Sequence, residues 1–174
     1  MNGLKTMMVL LNNWDTFKKN NRVLHDKNSG ETKYTVTDLG ATLGAVGGIG
    51  ARRSRSNAQD FARRGMVSKV EGEQVKFNYD VKPKKLGLLS IVYPPYFFRH
   101  RKATNAMRKV PLNDAAWMGS QLAQLSDNQL RDSFRAAGYD RATTEAYVRA
   151  LRSRINELNR LREGQLAARQ RRTR

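Results

Sequence analysis

The chain is expected to fold as an α+β protein, with an N-terminal helix and β-hairpins followed by a helical C-terminal half. Three features point there. Leu4, Met7, Met8 and Leu11 keep the i, i+3, i+4, i+7 spacing of a helix face. Two pairs of β-rich runs flank turn-forming clusters. From Asn113 onward apolar residues recur at helical spacing, with cap and stop residues between the segments.

Taken in order, the first helix spans residues 3–13 and ends at Asn12 and Asn13. Runs 22–25 and 33–37 follow as a hairpin, because Asp26, Lys27, Asn28, Ser29 and Gly30 form the kind of cluster that turns a chain. Residues 38–50 hold five glycines and are expected to be irregular and mobile. Ser56 and Asn57 can cap a short helix through Arg64, with Gly65 as its stop. A second hairpin is expected from 67–70 and 74–79 around Glu71, Gly72 and Glu73. Residues 86–98 are the most apolar and aromatic stretch, and Pro94-Pro95 should impose a turn around which it is buried, followed by a solvated turn at residues 99–102.

The helical half begins with a helix over 114–125. Ser126 with Gln129 three residues on is a capping-box pattern, and it opens a helix that runs to Ala137 and stops at Gly138. A third helix over 143–161 carries Tyr147, Val148, Leu151, Ile155, Leu158 and Leu161 on one face. The organisation reads as a hairpin region over 1–111, a helical subdomain over 112–162 and a basic, frayed tail over 163–174.

Composition removes several function classes. With no cysteine there is no disulfide, thiolate zinc site, iron–sulfur cluster or Cys nucleophile. The longest apolar runs, 7–11 and 86–93, fall well short of the roughly 20 residues of a membrane-spanning helix. The five-residue run 7–11 is also too short for a signal peptide and has no small-residue cleavage site after it. Mean hydropathy is −0.70 and the net charge +18, from 33 Lys and Arg against 15 Asp and Glu. Such a balance makes nucleic acid or another anionic surface a natural partner. The excess is spread evenly, though: residues 1–87 carry 16 basic and 8 acidic side chains, and 88–174 carry 17 and 7. A basic solvated surface therefore accounts for the charge as well as a dedicated interface does. The local concentrations are Arg52 to Arg55, Arg99 to Lys102 and the last six residues. Trp14 can pack beside the loop that follows the first helix or, more commonly, anchor that helix in the core, and His25 and His100, far apart in sequence, read as surface or satisfied positions.

One constellation carries chemistry. Asp15 and Asn20 stand five residues apart just after the first helix, and the hairpin's second strand delivers Asp38-Leu39-Gly40. A carboxylate that receives or orients a hydroxyl proton, an amide and a second carboxylate on Mg²⁺, and a glycine that lets the chain turn are the parts of a phosphoryl-transfer site. On these residues the chain resembles the protein-kinase-like superfamily. Asp15 and Asn20 match the Asp-x-x-x-x-Asn of its catalytic loop, and the segment ending in Asp38-Leu39-Gly40 matches its Asp-Phe-Gly strand. The resemblance covers about the first 40 residues and implies part of a kinase-like large lobe.

It further implies Asp15 as the catalytic residue, Asn20 and Asp38 as metal ligands, and Lys18 and Gly40 at the nucleotide, with ATP and Mg²⁺ as cofactors. Asn13-Trp14 stands where that family has His-Arg, Phe17 where it has lysine, and the interval from Asn20 to Asp38 is longer. The whole chain is also similar to the C-terminal part of longer bacterial proteins with the same Asn-Trp-Asp and Asp-Leu-Gly-Ala segments. That similarity implies a fragment, inactive without an N-terminal lobe. The contrasting expectations are a basic module for nucleic acid or a ribosomal surface, and a catalytically dead interaction domain.

Overall fold

The computed structural model describes residues 1–16, 20–46, 53–81 and 94–172. Among them the element order is α1 (Asn2–Leu10), β1 (Asn21–His25), β2 (Thr32–Val36), α2 (Ala58–Ala62), β3 (Val67–Glu71) and β4 (Gln74–Phe77). It continues with α3 (Pro94–Arg108), β5 (Lys109–Pro111), α4 (Leu112–Leu122), α5 (Asp127–Ala136) and α6 (Arg141–Arg172). The mixed α+β expectation holds in this form: a helix, small antiparallel sheets, then helices. No helix among the described residues is long and apolar enough to cross a membrane.

Both hairpins form where the turn residues predict them. β1 and β2 pair with Val23 opposite Tyr34, and Gly30 takes a positive φ of 69° at the turn. In β3–β4 the turn glycine is Gly72, at φ 56°. A third strand, β5, joins β4 and sets Val110 against Val75, both fully buried. Three residues are too short a run to announce a strand, and Pro111 is tolerated because β5 lies at the sheet edge.

The stretch around Pro94-Pro95 departs from expectation. Pro94 opens α3 instead of imposing a turn, because proline lacks only an N–H that the first helical turn leaves unbonded. Phe98 on that helix is 63% exposed, not buried. Arg101 and Lys102 lie within α3 and not in a turn. The apolar run 86–92 and Tyr93 lie outside the described residues.

The helical half follows its sequence signals closely. Ser126 accepts a hydrogen bond from the Gln129 amide while the Gln129 side chain accepts from the Ser126 N–H, the reciprocal capping box. At the other end Gly138, at φ 82°, lets its own N–H reach Arg135 and the Tyr139 N–H reach Phe134. The Phe134 and Tyr139 rings then meet edge to face at 5.7 Å, the apolar contact that completes this type of helix stop. α6 continues to Arg172, through most of the 163–174 stretch expected as a frayed tail.

α6 is the spine of the protein. Its Tyr147, Val148, Leu151, Ile155 and Leu158 are buried in one cluster with Val9 and Leu10 of α1, Phe61 of α2, Val75 and Phe77 of β4, and Ala115 and Leu122 of α4. The boundary at residue 111 therefore runs through a shared core. α4 lies tight against α6 at Gly119, where a Cβ would stand 2.7 Å from the backbone carbon of Leu158.

One charged side chain is sealed inside. Arg154, 5% exposed, lies over the Phe61 ring at 4.0 Å and donates to the carbonyls of Val9, Leu10, Phe61 and Arg64. Those carbonyls sit at the C-terminal ends of α1 and α2, where backbone acceptors are left over and the helix dipoles favour a cation.

Candidate functional site

The site is built from the way α1 ends. Asn12 takes a left-handed φ of 51°, which asparagine tolerates better than other non-glycine residues. Its N–H then bonds Val9 O, and the Asn13 N–H bonds Met8 O at 2.8 Å, so the chain reverses and delivers Asn13 inward. Asn13 is fully buried and uses both ends of its amide. Oδ1 accepts from the Asp15 N–H at 3.0 Å, and Nδ2 donates to the Asp38 carbonyl at 3.0 Å.

The expected site residues are brought together through these bonds. Asn20 donates its Nδ2 to the Asp15 carbonyl at 3.0 Å, and its own carbonyl accepts from the N–H and the hydroxyl of Thr37, next to Asp38. Asp38 Oδ1 accepts from the Gly40 N–H at 2.9 Å, an Asx turn that bends Asp38-Leu39-Gly40 away from the strand. Asp15 and Asp38 are each partly exposed, whereas Asn20 is buried. Lys18 lies outside the described residues.

Beneath this loop stands Tyr79, whose part the sequence did not announce. Its hydroxyl donates to the Asn13 carbonyl and bonds Thr16 Oγ1 at 2.8 Å. Burial pushes the phenol well above its ordinary value, and the negative charges of Asp15 and Asp80 push the same way, so it stays a donor. Arg108 fixes this end of the strand by donating to the Tyr79 carbonyl at 2.8 Å and pairing with Asp80 at 2.6 Å.

Asp38 leads into a folded-back arm. Trp14 N–H bonds the Ala41 carbonyl, Leu43 N–H bonds Leu11 O, and the Asn12 amide donates to Gly44 O at 2.6 Å. Leu43 is held at φ 56°, a conformation that costs a β-carbon residue about 1–3 kcal/mol. The Tyr147 hydroxyl of α6 holds it there by donating to its carbonyl at 3.1 Å. Ala45 and Val46 then pair with Ser54 and Arg53. Gly44 is required at this crossing, since a Cβ would come within 2.1 Å of Ser54 O. Residues 38–46 are irregular as expected but tightly bonded, and 47–50 lie outside the described residues.

Trp14 takes the less common of its two expected roles. Instead of anchoring α1 in the main core it forms a separate cluster with Ala41 and Val46 beside the loop. His25 is exposed and bonds Thr32, as a surface histidine would.

Asn20 and Asp38 each carry a side-chain oxygen of the kind a hard divalent cation takes. Asn20 donates through nitrogen, so its Oδ1 is the atom turned to other use, and Asp38 keeps Oδ2 after serving Gly40. Among the described residues no group of three His, Cys, Asp or Glu gathers, so an all-carboxylate cage is not present. Magnesium does not need one, because it is usually held by one or two carboxylates, with water and substrate phosphates completing its octahedron.

Comparison with protein-family models, curated proteins and solved structures returns no match. The functional reading therefore rests on the geometry itself.

Asn13 is the residue whose removal tests that geometry. Asn13→Ala orphans the Asp38 carbonyl and the Asp15 N–H together, and chemical denaturation should register a loss of about 2–3 kcal/mol. Asn13→Asp restores an acceptor for Asp15 but turns an oxygen toward the Asp38 carbonyl, so it should recover little. Equal stability of wild type and both variants would mean that the bridge does not hold the loop.

Proposed function

We propose that Asp15, Asn20 and Asp38 form the metal and acceptor side of a kinase-like, ATP- and Mg²⁺-dependent phosphotransferase site. The observation that carries this reading is the Asn13 bridge, which joins segments 25 positions apart so that the backbones of Asp15 and Asp38 and the side-chain amide of Asn20, the residues expected from spacing alone, belong to one hydrogen-bonded network.

The roles follow from position. Asp15, with its backbone clamped on both sides by Asn13 and Asn20, offers a partly exposed carboxylate that can orient an acceptor hydroxyl and take its proton. Asn20 Oδ1 and Asp38 Oδ2 would hold Mg²⁺, which when bound neutralises charge on the transferring phosphoryl group. The Gly40 turn keeps the chain clear of the phosphates. Tyr79 and Thr16 act one layer below and hold Asn13 in place. This reading makes the chain one lobe of a larger active site, so ligand binding is the property to measure first.

Titration with ATP should show binding that needs Mg²⁺ and weakens roughly 10- to 100-fold in Asp38→Ala, the usual consequence of removing one metal contact. Asp26→Ala, which alters an exposed hairpin carboxylate, should leave it unchanged. Binding that ignores both Mg²⁺ and the Asp38 substitution would overturn the reading. It would turn attention to the exposed Phe98, Arg101 and Lys102 face of α3 as a nucleic-acid surface.

A further inference from the structure

Several arginines have an acidic partner. Arg108 and Arg64 share Asp80, Arg131 meets Glu145, and Arg152 meets Asp127. Arg53 and Arg55 differ. In an extended segment residues i and i+2 point to the same side, and the Trp14 indole N–H anchors the segment between them by donating to Ser54 O at 3.3 Å. Both guanidinium groups consequently lie against one indole, with their carbons 4.8 Å and 5.3 Å from its ring centre. Neither is ion-paired with a described acidic residue. The Nε and Nη2 of Arg53 are shielded from water and meet no acceptor among the described residues.

Two like charges on one ring repel, and shielded guanidinium donors without acceptors are costly. Stacking on the indole offsets part of that cost. What the arrangement lacks is an anion with several oxygens in the plane of the forks. We propose that Arg53, Arg55 and Trp14 form a binding site for a terminal phosphoryl dianion. Its oxygens are taken bidentately by the outer edge of Arg55 and by Arg53, whose flexible end turns off the indole to bring its free donors round. The site lies beside the arm that follows Asp38 but needs none of the proposed metal ligands. It can therefore hold either the terminal phosphate of a nucleotide or a phosphoryl group on a second molecule.

Trp14 reports on its own site. In a Trp117→Phe background, where Trp14 is the sole tryptophan, inorganic phosphate titrated at constant ionic strength should change the emission to saturation. Arg55→Gln, at an exposed position that cannot compromise the fold, and Arg53→Gln should each weaken the response about tenfold or more. The response should survive in Asp38→Ala and without Mg²⁺, which separates this site from the metal site proposed above. Competition by Mg²⁺-ATP identifies the nucleotide's phosphate as the ligand; phosphate binding undisturbed by Mg²⁺-ATP identifies a phosphorylated second molecule. A response that chloride reproduces, or one that both arginine variants retain, overturns the proposal.

Discussion

Replacing Arg154 by methionine is expected to lower stability by about 3–5 kcal/mol, the sum of several buried acceptors losing their donor. Methionine keeps much of the stem that packs on Phe61, so the loss isolates the hydrogen bonds from the packing. A buried charge is not stabilising in itself, and exchanging one for an apolar residue is often harmless. Here, however, the acceptors stay behind: four carbonyls from two helix ends would face a thioether. Burial lowers the guanidinium to about 10, still far above neutrality, so the group is charged in use. Because that lies below its ordinary value, the unfolded chain holds the proton more tightly. This one group therefore favours folding as pH rises through 10, against the usual alkaline trend. For a domain with 5–15 kcal/mol in hand, the substitution should lower the melting temperature by roughly 6–20 °C. Lysine has one compact ammonium for acceptors spread over two elements, so Arg154→Lys should recover only part of the loss. A methionine variant as stable as wild type would show that Arg154 only bears the cost of its burial.

Gly119→Ala should destabilise the protein by about 1–3 kcal/mol, and Gly119→Val by more. The sign is the informative part. At an exposed helical position the same exchange would stabilise, since alanine is favoured over glycine by about 1 kcal/mol. At Gly119 the new carbon would meet the backbone carbon and oxygen and the Cβ of Leu158 at 2.7–2.8 Å, none of which can swing aside as a long side chain could. α4 and α6 would have to separate along the contact that carries Ala115, Leu122 and Leu158. Urea denaturation with an unchanged m-value and a lower midpoint is the expected pattern. An alanine variant more stable than wild type would mean that the helices part freely.

What could be read in advance was local. Ser126 with Gln129, Gly138, and Asn57 ahead of α2 each act within a few residues, and their caps form as their spacing predicts. The hairpins likewise follow from turn residues that need a positive φ or favour a bend. Prediction failed where distant partners decide. Val110 becomes a strand residue only because Val75 is there to pair with it. Pro94 was read as a turn because its helix-breaking property was weighed without its tolerance at a helix start. In the candidate site, spacing suggests Asp15, Asn20 and Asp38 as candidates but not the residues that position them. Tyr79 reaches Asn13 across 66 positions, and nothing in a strand-end tyrosine announces such a bond. Asn13 was read as a helix stop and as a departure from a motif, when its amide is the bridge between both halves of the loop.

The reach of α6 back to the first residues has a consequence for how the protein comes off the ribosome. Arg154 donates to Leu10 across 144 positions, and Tyr147 secures Leu43 across 104. At translation speeds of roughly 5–20 residues per second, the carbonyls at the end of α1 wait about 7–29 s for the side chain that caps them. The loop bearing Asp15 and Asp38 is synthesised early and completed late. A nascent chain halted before residue 147 would carry every proposed ligand of the metal and lack the helix that holds their arm in place.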